Sequence, residues 1–230
     1  MFIEPERDQP ESEGSEKSPA FHIPERIPLF PLPNVVFFPK TYLPLHIFEP
    51  RYREMVLDAA TSGQCIGMAL LKEGWEAQYY QNPPIFTIGC VGRLASLQRL
   101  PDGRSNILLQ GIERYEIREE FYDKPYREAT VALKSRIEDS GDLDPALRAH
   151  VLELVHDYIR TSEEASVLQV FARQEIGDEV LINSLSGSLD CSPLEKQFLL
   201  EAETLYQQAR RLCDLIQFKV LERRGARGWG

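Results

Sequence analysis

The chain has 230 residues, 43% of them hydrophobic, and carries 36 acidic against 26 basic side chains for a formal net charge of −10. That length and apolar content suit one domain or two small ones with a sizeable core, and exclude a disordered or fibrous chain. The acidic balance opposes general affinity for nucleic-acid phosphate, which needs clustered Lys and Arg to release counterions.

Residues 1–22 read as a disordered acidic tail loaded with Glu4, Glu6, Asp8, Glu11, Glu13 and Glu16. Ordering twenty residues costs ~20 to 40 kcal/mol of backbone entropy. Burying Met1, Phe2 and Ile3 returns only ~5 to 9 kcal/mol. Residues 23–138 then follow a β pattern. Ile27 to Leu32 and Tyr42 to Phe48 are apolar, aromatic-rich runs separated by Pro-Asn and Phe-Pro punctuation, which predicts two short strands with Phe30 and Phe48 in the core. Glu49 at the N-cap and Pro50 at the first helical position open a helix. Its stripe is Tyr52, Met55, Val56 and Ala59, and Gly63 stops it.

Cys65 to Leu71 has the length of a buried strand, and Lys72 to Pro84 is a loop that carries Trp75, Tyr79 and Tyr80. Ile85 to Leu100 and Arg104 to Ile117 form a hairpin about Pro101-Asp102-Gly103, with a bulge at Gly111. Tyr126 to Leu133 adds a last strand, and the whole reads as a compact barrel-like sheet with one helix. From Asp142 the period changes to 3.6, and residues 139–224 read as a helical bundle. Asp144 caps and Pro145 starts a helix with Leu147, Val151, Leu154, Val155 and Tyr158 on one stripe. Ser166 to Gln174 and Asp178 to Leu189 read as shorter helices, the latter capped by Asp178. Ser192-Pro193-Leu194-Glu195 is a capping box. A final helix, opened by a weaker box at Thr204 and Gln207, runs to about Arg223, and residues 225–230 read as a flexible end. The fold class is therefore α+β, a small β-barrel followed by helices.

Chemistry is sparse. Cys65, Cys90, Cys191 and Cys213 lack CxxC spacing and read as buried reduced thiols. The phosphate loop GxxxxGK[ST], GxGxxG and HExxH are all absent, so no nucleotide or zinc site is expected, nor any cofactor. His46, inside a strand run, reads as structural. Ser192 beside Glu195 and Lys196 is explained by capping, and Glu49 with Arg51 and Arg53 by a helix start with surface ion pairs. No catalytic set and no metal set emerges. With no eighteen-residue apolar run and no charged-then-apolar leader at Met1, neither a membrane span nor a secretory signal is expected, and the compartment reads as cytoplasmic.

Large aromatics on loops call for an explanation. Trp75, Tyr79 and Tyr80, with Phe121 and Tyr122 on the next long connection, either fold back onto the barrel wall or present a recognition surface for peptides.

Several separated motifs bear on that choice: Pro28-Leu29-Phe30-Pro31-Leu32, Val35-Val36-Phe37-Phe38-Pro39 and Leu43-Pro44-Leu45-His46-Ile47-Phe48-Glu49-Pro50-Arg51-Tyr52-Arg53. Gly89-Cys90-Val91-Gly92, Leu100-Pro101-Asp102-Gly103-Arg104 and Gly111-Ile112-Glu113-Arg114-Tyr115-Glu116-Ile117 follow. Ser192 to Glu201 completes the set. Together, over residues 26 to 216, they resemble the N-terminal, substrate-binding domain of Lon proteases, a domain that also occurs alone. The resemblance implies a PUA-like β-fold with a helical partner and a non-catalytic module that binds unfolded or exposed apolar protein segments, in concert with a separate protease or chaperone. The ATPase and Ser-Lys peptidase modules of the full enzyme are not expected here. An RNA-binding role is the alternative, resting on fold-level analogy with PUA domains.

Overall fold

Six strands build the first half of the computed structural model, which describes residues 22–135, 142–161, 168, 171 and 176–227. They are β1 (Arg26–Leu32), β2 (Tyr42–Ile47), β3 (Cys65–Leu70), β4 (Ile88–Arg99), β5 (Ser105–Phe121) and β6 (Glu128–Leu133), in the order β2-β5-β4-β3-β1-β6. β6 also pairs with β5, so five strands close into a ring and β2 lies on the outer flank of β5. β5 spans 17 residues and serves both partners: its first half pairs with β2 and its second half with β6. β1 and β3 run parallel, with Leu29 opposite Gly67. A parallel pair needs a long crossover, and β2 with helix α1 (Pro50–Thr61) supplies it.

The expected bulge at Gly111 is present, because the β4–β5 register shifts between Val91 and Gly92, where Gly92 faces Gly111 and Val91 faces Glu113. A Cβ at Gly111 would lie 2.2 Å from the Phe38 carbonyl oxygen. That close approach is used: Lys40 N–H donates to Gly111 O at 2.8 Å and Gly111 N–H to Thr41 O at 2.9 Å. The β4–β5 turn uses Gly103 at φ +82°, a conformation glycine adopts without penalty.

Period-two alternation divides the barrel side chains. Ile27, Leu29, Cys65, Ala69, Val91, Tyr115, Ala129 and Val131, from all five strands of the ring, form one cluster. Phe30, Ile66 and Met68 pack instead with Tyr52, Met55, Val56 and Ala59 of α1, a burial that contributes ~5 to 9 kcal/mol before entropy is counted. Phe48 departs from expectation. It is 62% exposed, because Ile47 takes the last inward position of β2 and Glu49 already turns into the helix.

The helices are α2 (Pro145–Thr161), α3 (Asp178–Ser188), α4 (Pro193–Leu200) and α5 (Leu205–Arg227). The expected stripe of α2 packs with Leu181, Leu185, Leu199, Leu212 and Ile216, and Phe38 of the barrel inserts among them. The capping box at Ser192 and Glu195 is formed on both sides. Asp178 does not cap its helix. Gly177 holds that position, while the Asp178 carboxylate accepts from Leu143 N–H at 2.6 Å and from Arg148, tying α3 to the start of α2. The final helix runs four residues past the expected Arg223. The tail, most of 166–174 and residues 228–230 lie outside the described residues.

Barrel and helices meet at Arg114, a β5 residue that is 4% exposed. Its guanidinium donates to Leu200 O at 3.2 Å and to Ala202 O, at the C-terminal end of α4, where unpaired carbonyls and the helix dipole favour a cation. Burial lowers its pKa. Gln197 adds a second link through Nε2–H to Ile88 O at 2.9 Å.

Candidate recognition cleft

Residues 72–84 leave the barrel between a bridge joining Leu71 to Ile85 and a bond from Lys72 N–H to Pro84 O, so the loop has a closed neck. Within it Trp75–Gln78 forms a 3-10 turn. Loops of this length inside a compact fold are commonly functional. A second loop, residues 122–127, joins β5 to β6 beside it.

Both loops are tied to α1 by side chains. The Tyr79 hydroxyl donates to Glu49 Oε1, and Arg51 pairs with Glu49 Oε2 at 3.0 Å. Glu49 thus stands at the N-cap position but gives its carboxylate to the loop instead of to the helix. The Arg51 guanidinium lies over two rings, 4.6 Å from the Tyr52 centroid and 4.9 Å from that of Tyr79. At the other end of α1, Asp58 Oδ2 accepts from the Tyr126 hydroxyl at 2.6 Å and from Lys124 Nζ at 3.0 Å. Buried Arg127 joins the loops directly, donating to Pro83 O at 2.8 Å and pairing with Glu120 at 3.0 Å.

These ties set the protonation of the site. The bonds from Tyr126 and Lys124 hold Asp58 below the usual carboxylate range. Burial, then the bond to Asp58, pushes the Tyr126 phenol up to about 12. Burial likewise raises Tyr52, and burial with the Glu49 bond raises Tyr79. The rings are neutral phenols at physiological pH.

Between the loops lies a half-open cleft of about 230 Å³ whose walls carry Tyr52, Tyr79, Tyr80, Tyr122 and Tyr126. Pro31, Leu71, Pro83 and Pro125 complete the apolar surface, and the charged lining residues are Arg51, Lys124 and Arg127. Each of these cations has a carboxylate behind it: Glu49, Asp58 with Glu128, and Glu120.

Residues 26–217 match the family model of the ATP-dependent protease La (LON) substrate-binding domain. The chain belongs to the Lon substrate-binding domain family. It is 29% identical over 190 residues to a Lon protease of Flavobacterium johnsoniae, covering 81% of this chain and 23% of that protein. Against a Lon protease of Cytophaga hutchinsonii it is 27% identical over 210 residues, covering 90% and 26%. The chain therefore spans about a quarter of the length of the Lon proteases it matches. Two solved structures share its α+β fold. A Lon N-terminal domain protein from Xanthomonas campestris superposes with a TM-score of 0.60 at 22% identity, covering 84% of this chain and 97% of that one. The N-terminal domain of a Mycobacterium avium complex Lon protease gives 0.62 at 15%, covering 84% and 98%.

Within this Lon-type fold the loop aromatics divide. Tyr79, Tyr80 and Tyr122 come together in the cleft, with Tyr80 89% and Tyr122 51% exposed. Trp75 and Phe121 do not line it. Trp75, in the 3-10 turn, packs against the barrel cluster that holds Leu71 and Ile85, its ring edge-on to Tyr79 with centroids 5.5 Å apart. Phe121 is the last residue of β5, and the strand directs it under the Arg26 guanidinium at 4.1 Å. Sequence reading misses Arg51, Tyr52, Lys124, Tyr126 and Arg127. Lys124, Tyr126 and Arg127 lie in the same short loop as Tyr122, and that adjacency in sequence is the signal that could have found them.

His46 sits on the barrel surface with Nδ1 2.7 Å from Asn106 Oδ1. The cysteines are free thiols, with Cys65 and Cys213 pushed by burial to about 11. Among the described residues no three His, Cys, Asp or Glu side chains gather as a metal would require, and no helix is long and apolar enough to cross a membrane.

Proposed function

We propose that this chain is a non-catalytic, cytoplasmic protein-binding module that takes extended segments of unfolded proteins into the cleft between residues 72–84 and 122–127. Membership of the Lon substrate-binding family supports the class of ligand. The observation that carries the location is the pair of large, solvent-facing rings, Tyr80 and Tyr122, on loops held by part-buried ties to α1. Rigid aromatics presented this way give contact area at low entropic cost. Bound segments are handed to a separate protease or chaperone. Phosphate binding is disfavoured, because every lining cation is already paired with a carboxylate in a chain of net charge −10.

Tyr80→Ala with Tyr122→Ala tests the location. Each ring contributes ~1 to 3 kcal/mol to an interface, so affinity for fluorescently labelled unfolded casein falls about tenfold or more while the melting temperature moves by less than about 2 °C. Tyr79 is left intact because it is bound to Glu49. Unchanged casein affinity moves the site elsewhere on the molecule.

A further inference from the structure

We infer that the segment this cleft accepts is proline-containing and bound in the polyproline II conformation, an inference that rests on reading the cleft as a peptide site. Its volume comes first. About 230 Å³ lies below the roughly 300 to 1,000 Å³ of small-molecule pockets, so the cleft holds a few side chains of a longer chain that runs across it.

Of the recurring modes of peptide capture, two do not suit this surface. Strand addition needs an open sheet edge with a regular row of donors. The flank of β2 away from β5 is the edge on offer, and Pro44 at its middle has no N–H to give. Helix capture needs a groove long enough for contacts at i, i+4 and i+7, about 10 Å along the axis, with an apolar lining. Here the polar side chains Arg51, Gln81, Asn82, Lys124 and Arg127 interrupt the lining.

Polyproline II suits it on three counts. The Tyr79 and Tyr80 rings stand 80° apart with centroids at 5.1 Å, giving a stepped surface of ring faces against which pyrrolidine rings can stack, and Tyr122 rises from the facing loop. The polar lining offers donors, the side-chain amides of Gln81 and Asn82 and the N–H groups of Arg51, with no carboxylate among the lining residues. A proline-containing segment is the complement, since it keeps its carbonyl acceptors while losing N–H donors, and its backbone carbonyls point outward without internal partners. Finally, the paired cations leave the surface without free positive charge, so a neutral ligand fits better than an acidic one.

The test uses the full chain and a peptide of roughly ten residues, about 30 Å long in this conformation, with a repeated PxxP pattern. Controls are the same peptide with alanine for every proline and an apolar proline-free peptide of equal length. Backbone amide shifts locate binding and calorimetry measures it. The expected result is shifts centred on residues 72–84 and 122–127, affinity about tenfold weaker for the alanine peptide, and a similar loss for Tyr80→Ala. Equal binding of the proline-free peptides in the cleft overturns the polyproline inference and leaves the peptide site standing. Failure of every peptide to shift the cleft while unfolded casein still binds overturns both.

Discussion

Two arginines of the barrel, both nearly withdrawn from solvent, do opposite kinds of work. Arg114 is 4% exposed and bonds to carbonyl oxygens at the end of α4, so it fixes the helices to the barrel and leaves nothing to be reached from outside. Arg127 is 6% exposed and bridges Pro83 and Glu120, so it joins the two loops of a cleft in which Tyr80 and Tyr122 face outward. The lesson is that burying a guanidinium marks a place where two segments must keep their distance. What surrounds it decides whether that place is a joint or a site. At the junction the partners are backbone carbonyls, and at the cleft the neighbours in the lining are tyrosines.

The contrast predicts that damage to stability and damage to binding separate. Arg114→Met carries the largest effect. It leaves helix-end carbonyls without a donor at about 3 kcal/mol, equivalent to a melting temperature lower by about 6 to 12 °C for a domain of this size. Casein affinity, measured well below melting, stays within about twofold. A loss of affinity as large as that of the double tyrosine variant would show that junction and cleft are one unit. Gly111→Ala comes next. The new methyl meets the Phe38 carbonyl at 2.2 Å, an overpacking that costs about 1 to 3 kcal/mol and is read as a lower urea midpoint.

Glu49→Ala probes the other side of the contrast. It releases Tyr79 and Arg51, whose ordering must then be supplied at binding, about 0.5 to 1.5 kcal/mol or roughly two- to tenfold in client affinity. Stability changes by less than about 1 kcal/mol, because the ion pair is partly exposed. Equal loss in both quantities would erase the distinction. The smallest effect is alkaline. Tyr126 holds its proton in the folded state up to about pH 12 and loses it near 10 when unfolded, so its contribution is complete below pH 10 and fades as pH rises toward 12. Phenolate absorbance of wild type against Tyr126→Phe measures this, and a difference spectrum titrating near 10 would remove the Asp58 tie from the account.

How much of this was legible in the sequence follows from the range of each interaction. Pro50 starting a helix, Gly103 turning a hairpin, the bulge at Gly111 and the Ser192 box are local, each settled within a few residues, and each is found where expected. Phe48 was misread because alternation along β2 says which residues share a face but not where the strand yields to the helix. Arg114 looks like any strand arginine, since its partners are 86 and 88 residues away. The cleft was half legible. Tyr79, Tyr80 and Tyr122 stand out as loop aromatics, whereas Tyr52 is hidden in a helix stripe and Arg127 in the approach to a strand. Closure of β6 against β5 brings them together, and nothing short-range encodes it.

That closure also sets a timetable for synthesis. β1 pairs with β3 on one edge, but its other edge waits for β6, with Arg26 opposite Thr130. About a hundred residues separate them, roughly 5 to 20 s of translation at the usual pace. For that interval one of the most apolar segments of the nascent chain has an open edge, the kind of surface that recruits other chains. Pro28 and Pro31 lie within it and remove two backbone donors from β1. Pro31, two residues beyond Leu29 whose N–H turns toward the β6 side, thus acts before the barrel exists, as insulation for an edge that the last strand will eventually cover.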